Sequence, residues 1–179
     1  MEEILDTREI SVQKCYQCGK CSAGCPLAED MDYPPSVIMR MLQTEDKEME
    51  ATTLRSMTIW LCVTCETCAT RCPMEIDIPG VMDFCRERSL KKKMTHPNAK
   101  NIIAFHKAFL DSVDYTGRLY ELGLIADYKT RSFQLGQDVN LAPGMIAKGK
   151  LGFIPEVIKD RKGIGNIFKK TLHKKGGKS

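Results

Sequence analysis

Apolar residues along this chain recur mostly at helical spacing, and they hardly ever alternate as a half-buried strand requires. Val37, Ile38, Met41 and Leu42 repeat at i, i+1, i+4 and i+5 behind Tyr33-Pro34-Pro35-Ser36, where proline suits the start of a helix. A second short helix, charged along one side, is predicted from Glu48 to Met57. A third starts at Asp77-Ile78-Pro79-Gly80, with an apolar face of Val81, Met82, Cys85 and Leu90. Lys91-Lys92-Lys93 then places positive charge where the helix dipole favours it. Pro97 and Asn98 open a further helix with Ile102, Phe105, His106, Phe109, Leu110 and Val113 along one side. Gly117 ends or bends it, and Leu119, Leu122, Leu124, Ile125 and Tyr128 predict another. From Leu135 to Ile158, Gly136, Pro143, Gly144, Gly149, Gly152 and Pro155 punctuate an irregular segment with few ways to bury itself alone. The lysine-rich residues 169–179 are expected to be disordered. The fold class is mainly α.

Two cysteine runs change the picture from scaffold to chemistry. Cys15, Cys18, Cys21 and Cys25 stand as C-x2-C-x2-C-x3-C before Pro26, and Cys62, Cys65, Cys68 and Cys72 repeat that spacing before Pro73. Three thiolates two residues apart line a tight loop, so each can reach a different iron of one cube. The run is the ligand spacing of a [4Fe–4S] cluster, and two runs imply two clusters. In two-cluster ferredoxins the fourth cysteine of each run binds the other cluster. Applied here, one cluster takes Cys15, Cys18, Cys21 and Cys72, and the other takes Cys62, Cys65, Cys68 and Cys25. Such crossing would couple metal binding to folding.

Zinc also binds paired C-x2-C motifs, but a zinc site closes with four ligands and gives no reason for a second set with the same trailing proline. A disulfide framework is disfavoured because Met1-Glu2-Glu3-Ile4-Leu5-Asp6 is acidic and lacks the apolar core of a secretory signal. Reduced thiols and a cytoplasmic location are expected. Cys85 lies outside both runs, and its spacing from Val81 and Met82 suits a buried core thiol. His96, His106 and His173 do not cluster, and no nucleophile or general base stands out. The chain has no G-x-G-x-x-G and no P-loop. All eight cysteines of the runs are expected to be committed to metal, so the chain would carry electrons without itself making or breaking substrate bonds.

At 179 residues and 42% hydrophobic, the chain has material for one domain, or one domain with an extension. No apolar stretch is long enough to span a membrane. Residues 1–90 hold 16 acidic and 9 basic side chains, a net of −7, whereas residues 91–179 reach +11. A basic second half could dock on an acidic partner. No nucleic-acid-binding motif accompanies the charge.

The residues between the cysteines carry a narrower resemblance. Cys15-Tyr16-Gln17-Cys18-Gly19-Lys20-Cys21-Ser22-Ala23-Gly24-Cys25-Pro26, Pro34, Ile38-Met39-Arg40, Trp60-Leu61-Cys62-Val63-Thr64-Cys65-Glu66-Thr67-Cys68, Arg71-Cys72-Pro73 and Ile78-Pro79 are similar to the iron–sulfur electron-transfer subunit of heterodisulfide reductase. The pattern looks like an α-helical ferredoxin, the arrangement of iron–sulfur subunits in succinate dehydrogenase and related complexes. The resemblance covers roughly residues 12–93 and implies an electron relay with two [4Fe–4S] clusters. In that family one subunit carries flavin and clusters of its own, and a catalytic subunit reduces the disulfide of coenzyme M and coenzyme B. The iron–sulfur subunit bridges the two. Hydrogenase or formate dehydrogenase can join the larger assembly. The residues themselves divide the chain into a cluster domain expected at 1–93, a helical and irregular extension at 94–168 that wraps a partner subunit or completes the core, and a basic tail at 169–179. The relay of a fumarate reductase or glycerol-phosphate dehydrogenase, and a zinc-binding interaction module, are the alternatives.

Overall fold

Asp32 and Asp77, a proline in each of two first turns, and a buried ion pair set where the helices of residues 12–99 begin and how they pack. The computed structural model describes residues 12–134, 136, 141–149, 152, 155 and 157–171, and among these are helices and turns but no strand. Two compact units emerge, Met1–Ala99 and Lys100–Ser179. Parts of the expected irregular segment, and residues 172–179 of the expected tail, lie outside the described residues.

The first unit holds α1 (Lys20–Ala23), α2 (Pro35–Gln43), α3 (Lys47–Arg55), α4 (Thr58–Leu61), α5 (Thr67–Thr70) and α6 (Ile78–Lys91). Short 3-10 turns stand at Val12–Lys14 and Pro97–Ala99. The Asp77 carboxylate accepts the Gly80 N–H at 2.9 Å and caps α6, which buries Ile78, Val81, Met82, Phe84 and Cys85. Cys85 is fully buried, and burial pushes its thiol up to about 12. Leu90, expected on the same face, is 45% exposed. Ser89 takes the inward place and donates to the Leu54 carbonyl at 2.8 Å, which ties α6 to α3. Glu50 of α3 is largely buried and accepts from Arg88 at 2.6 Å and Lys92 at 2.8 Å, fastening the same two helices by charge.

Helix α2 buries Pro35, Ile38, Met39 and Leu42. The buried face is thus rotated from the one expected: Met39 points inward and Val37 is 37% exposed. Asp32 joins the loop after the first cysteine run to the start of α4. Its carboxylate accepts from the Met57 N–H at 2.8 Å, the Thr58 N–H at 2.8 Å and the Thr58 hydroxyl at 2.5 Å. Partial burial pushes the Asp32 pKa up, but these bonds from Thr58 and Met57 outweigh it and hold the carboxyl below its ordinary value.

In the second unit α7 (Lys100–Thr116) packs on α8 (Glu121–Ser132) and on α10 (Arg161–Thr171), with α9 at Ala142–Ala147. Gly117 has φ of +83° and ends α7, and the Ile158 side chain occupies the space where a Cβ of residue 117 would stand. Ala104, Ala108 and Thr116 are the buried residues of α7, while Phe105, His106, Phe109 and Leu110 are exposed. The expected aromatic stripe is therefore not the buried face, although Phe105 meets the Tyr128 ring of α8 edge-on with centroids 6.0 Å apart. Small side chains let helices approach closely, and the alanines supply the buried face. Two further differences are helical: α9 lies within the segment expected to be irregular, and α10 runs through Lys169 and Lys170 to Thr171.

Asp32→Ala should leave the Met57 and Thr58 N–H groups at the start of α4 without their acceptor, while the Thr58 hydroxyl keeps the Tyr33 carbonyl at 2.6 Å. The substitution is expected to lower stability by about 1–2 kcal/mol, the modest figure reflecting solvent access to the carboxylate. Thermal unfolding of the anaerobic full chain, followed by circular dichroism, measures this, and an unchanged midpoint would refute it. Because the folded pKa lies below the ordinary 3.8, the contribution is complete above that value and is lost only as pH falls through the folded one.

Candidate metal centre

The two cysteine runs adopt one backbone shape twice. Gln17 and Gly19 have φ of +62° and +75°, and Thr64 and Glu66, at the matching places, have +50° and +62°. Each left-handed pair turns the chain back on itself, and a one-turn helix follows, α1 after Gly19 and α5 after Glu66. A Cβ on Gly19 would meet nothing within 4 Å, so glycine serves there for its φ and not for space. Glu66 holds the same conformation with a side chain attached, at a cost of about 1–2 kcal/mol. α1 packs against α5. Arg71 lies over Gly24, where a Cβ would come within 2.7 Å of the Arg71 Cδ. These two residues each precede the fourth cysteine of their run.

Cys15, Cys18, Cys21 and Cys72 line one cavity, backed by Met39, Ile76 and Ile78. Met39 is thus turned inward by the cysteines it supports. The Cys72 sulfur receives the Ile76 N–H at 3.4 Å, and Gln17 places its side-chain amide 3.4 Å from the Cys15 sulfur. The Gln17 amide also donates to the Gln43 carbonyl oxygen at 2.9 Å, and the Gln43 amide donates to the Cys15 carbonyl at 2.6 Å. The Ser22 hydroxyl accepts the Ser36 N–H at 2.9 Å, fixing α1 to the first turn of α2.

For the other four cysteines, charge shows who neighbours whom. Burial chiefly pushes the Cys62 thiol up, Asp83 and Cys25 add to it, and a Thr64 backbone bond and Arg86 oppose it. Cys68 is pushed up to about 11, first by burial and then by Cys62, with Cys21 adding a little. Burial also raises Cys21, with Cys15 contributing. Cys65 is exposed and goes the other way, lowered by hydrogen bonds from Thr67. Cys25 thus lies within electrostatic reach of Cys62, and Cys21 within reach of Cys68. Cys18 and Cys65 are the exposed members of their runs.

Do these residues fit iron–sulfur clusters? A single zinc ion asks for four donors about 2.3 Å from one point. Among the described residues no three His, Cys, Asp or Glu side chains converge in that way. A cubane instead takes one thiolate at each corner of a body, and four cysteines around a cavity suit it. Burial keeps Cys21, Cys62 and Cys68 as neutral thiols, and a bound metal would draw off their protons because it ligates the thiolate. The residues fit.

Residues 11–76 match the 4Fe-4S dicluster domain. The iron–sulfur subunit of CoB–CoM heterodisulfide reductase from Methanopyrus kandleri is 36% identical over 93 residues, 51% of this chain and 47% of the relative. The corresponding subunit of the H2:CoB–CoM heterodisulfide, ferredoxin reductase from Methanothermobacter marburgensis is 30% identical over 104 residues, 58% of this chain and 55% of the relative. That of the ferredoxin:CoB–CoM heterodisulfide reductase from Methanosarcina acetivorans is 29% identical over 91 residues, 51% and 35%. Over about half its length, the chain is similar to the iron–sulfur subunit of heterodisulfide reductase. The chain also spans about half the length, or less, of these curated relatives. The matched part of the chain is similar to iron–sulfur domains that carry 4Fe-4S clusters. No described helix is long and apolar enough to cross a membrane.

Sequence reasoning missed the residues that hold the loops. Gln43, Asp32 and Arg86 carry no motif, Gln17 stands in the first run with nothing to mark its bond to Gln43, and the Asp83-to-Arg86 spacing, a helical i,i+3 ion pair of 2.7 Å, was the signal there to be read.

If ligation is crossed, Cys72→Ser should damage the cluster of the first run and spare the other. EPR of the reduced variant, compared with Cys25→Ser, tells them apart. Loss of the second-run signal alone in Cys72→Ser would refute the assignment.

Proposed function

We propose that this chain is the electron-relay subunit of a heterodisulfide-reductase-type complex, holding two [4Fe–4S] clusters in crossed cysteine sets. The observation that carries the reading is the cavity shared by Cys15, Cys18, Cys21 and Cys72, which draws its fourth thiol from the other run. Each cluster, when bound, takes up and gives back one electron without proton or bond chemistry on this chain. The residues around them position the sets. Met39, Ile76 and Ile78 back the first set, Asp32 and Arg86 fix the helix that leads into Cys62, and α1 against α5 joins the loops.

The relatives are named for reduction of the CoB–CoM heterodisulfide. By that resemblance electrons would pass from a flavin-containing subunit through this chain to a catalytic one, in the cytoplasm, with a hydrogenase or formate dehydrogenase in the larger assembly. The second unit offers the surface for a partner. Phe105, Phe109, Leu110, Tyr115, Ile125 and Ile167 are all more than a third exposed. Apolar surface of this kind marks interaction sites, and residues 94–168 would wrap the catalytic subunit.

Anaerobic purification from the native source, with iron counting, EPR and identification of copurifying chains, tests the function. About eight irons per chain, with a flavoprotein and a cysteine-rich partner, is the expected result. Eight irons with a different catalytic partner would replace the substrate, and zinc without iron would overturn the relay. For the extension, limited proteolysis should cut residues 94–168 in the isolated chain and spare them in the complex. Equal protection in both would sink the wrapping role.

A further inference from the structure

The two first cysteines, Cys15 and Cys62, occupy matching places in matching loops, yet a different kind of side chain holds each backbone carbonyl. At Cys15 the holder is a neutral amide, Gln43, which donates to the Cys15 carbonyl at 2.6 Å and to the Val12 carbonyl at 3.1 Å. At Cys62 it is a cation. Arg86, on α6, donates to the carbonyls of Ile59 and Cys62, and it pairs with Asp83 at 2.7 Å. Those carbonyls belong to the C-terminal end of α4, for which Cys62 is the capping residue. The guanidinium is thus fixed at the end of the helix that delivers Cys62.

We propose that Arg86 sets the charge balance of the second cysteine set, Cys62, Cys65, Cys68 and Cys25, and biases an electron shared between the two sets toward it. The inference rests on the relay function proposed above. An added electron is one more negative charge among thiolates, and a fixed cation nearby stabilises it by attraction. The opposing acids are weaker than their number implies. The Asp83 side chain is 51% exposed and Glu66 is exposed, whereas Arg86 is only 16% exposed, so water screens the acids more than the cation. The exchange is of one electron, lost by the first set and gained by the second, with no bond made or broken and no proton moved. Gln43 offers the first set the same carbonyl anchor without the charge. Lys20 also lines the first-set cavity, but its side chain is exposed and water screens it, so the two loops differ in electron affinity while sharing a backbone.

The test is an EPR-monitored potentiometric titration of the full chain loaded with iron and sulfide. The second-set signal is identified as the one retained in Cys18→Ser. Arg86→Gln, which copies the neutral holder of the first loop, should lower the second-set midpoint and leave the other in place. The expected change is about tenfold in the electron's partition, about 59 mV for one electron. Arg86→Lys keeps the charge but loses the forked geometry, and it should restore most of the difference. A merely structural role would be lost in both variants. Asp83→Asn should raise the same midpoint, and it decides the matter where Arg86→Gln fails to keep its iron. Iron for a single cluster in the unaltered chain would overturn the relay reading beneath this one. About eight irons with both midpoints unmoved, or moved alike, would overturn the role of Arg86 alone.

Discussion

Cys72 shares a cavity with Cys15, Cys18 and Cys21, although most of the first unit separates it from them in the chain. That placement constrains nearly everything between the two runs. The loops have to lie against each other, so α1 packs on α5 and the residue before each fourth cysteine, Gly24 or Arg71, meets its counterpart. A side chain at 24 would push Arg71 away, and an aliphatic residue at 71 would leave the surface of Gly24 bare. The entry to the second run must be held as firmly as the first. Asp32 does this by accepting the first free N–H groups of α4, and Arg86 by binding the carbonyls at its other end. A four-residue helix has little stability of its own. α4 persists because both ends are satisfied from outside.

How far the sequence went follows from what each signal reports. The cysteine runs state chemistry directly, because metal ligation needs particular atoms at particular spacings. Periodicity stated that α2, α6 and α7 are helices, since any wide apolar stripe does so. It did not state their rotation. Met39 and not Val37 turns inward because the cysteine cavity lies on that side, and Ser89 replaces Leu90 because the Leu54 carbonyl needs a donor. In α7 the aromatics outweigh Ala104 and Ala108 in any hydropathy reading, yet the alanines make the buried face. Left-handed residues are readable when they are glycine, as Gly19 is, and silent when they are Gln17, Thr64 or Glu66. Polar holders such as Gln43 and Arg86 look like ordinary surface residues until the carbonyls they bind are placed.

The repeat in backbone shape and the difference in side chains do separate jobs. Repetition gives the two sets the same internal layout: the third cysteines, Cys21 and Cys68, lie within electrostatic reach, while the second cysteines, Cys18 and Cys65, are exposed. In the proposed relay, the exposed Cys18 and Cys65 would mark the outer edge of each set, where partners could approach. A symmetric layout alone would favour neither direction. The loops depart from symmetry in side chains and not in backbone: Tyr16 against Val63, Gln17 against Thr64, and Gln43 against Arg86. Each exchange leaves the carbonyl or turn satisfied, so the backbone does not register it, but the charge around the sulfurs does. Direction can then be written into side chains without disturbing the scaffold that holds the sets together.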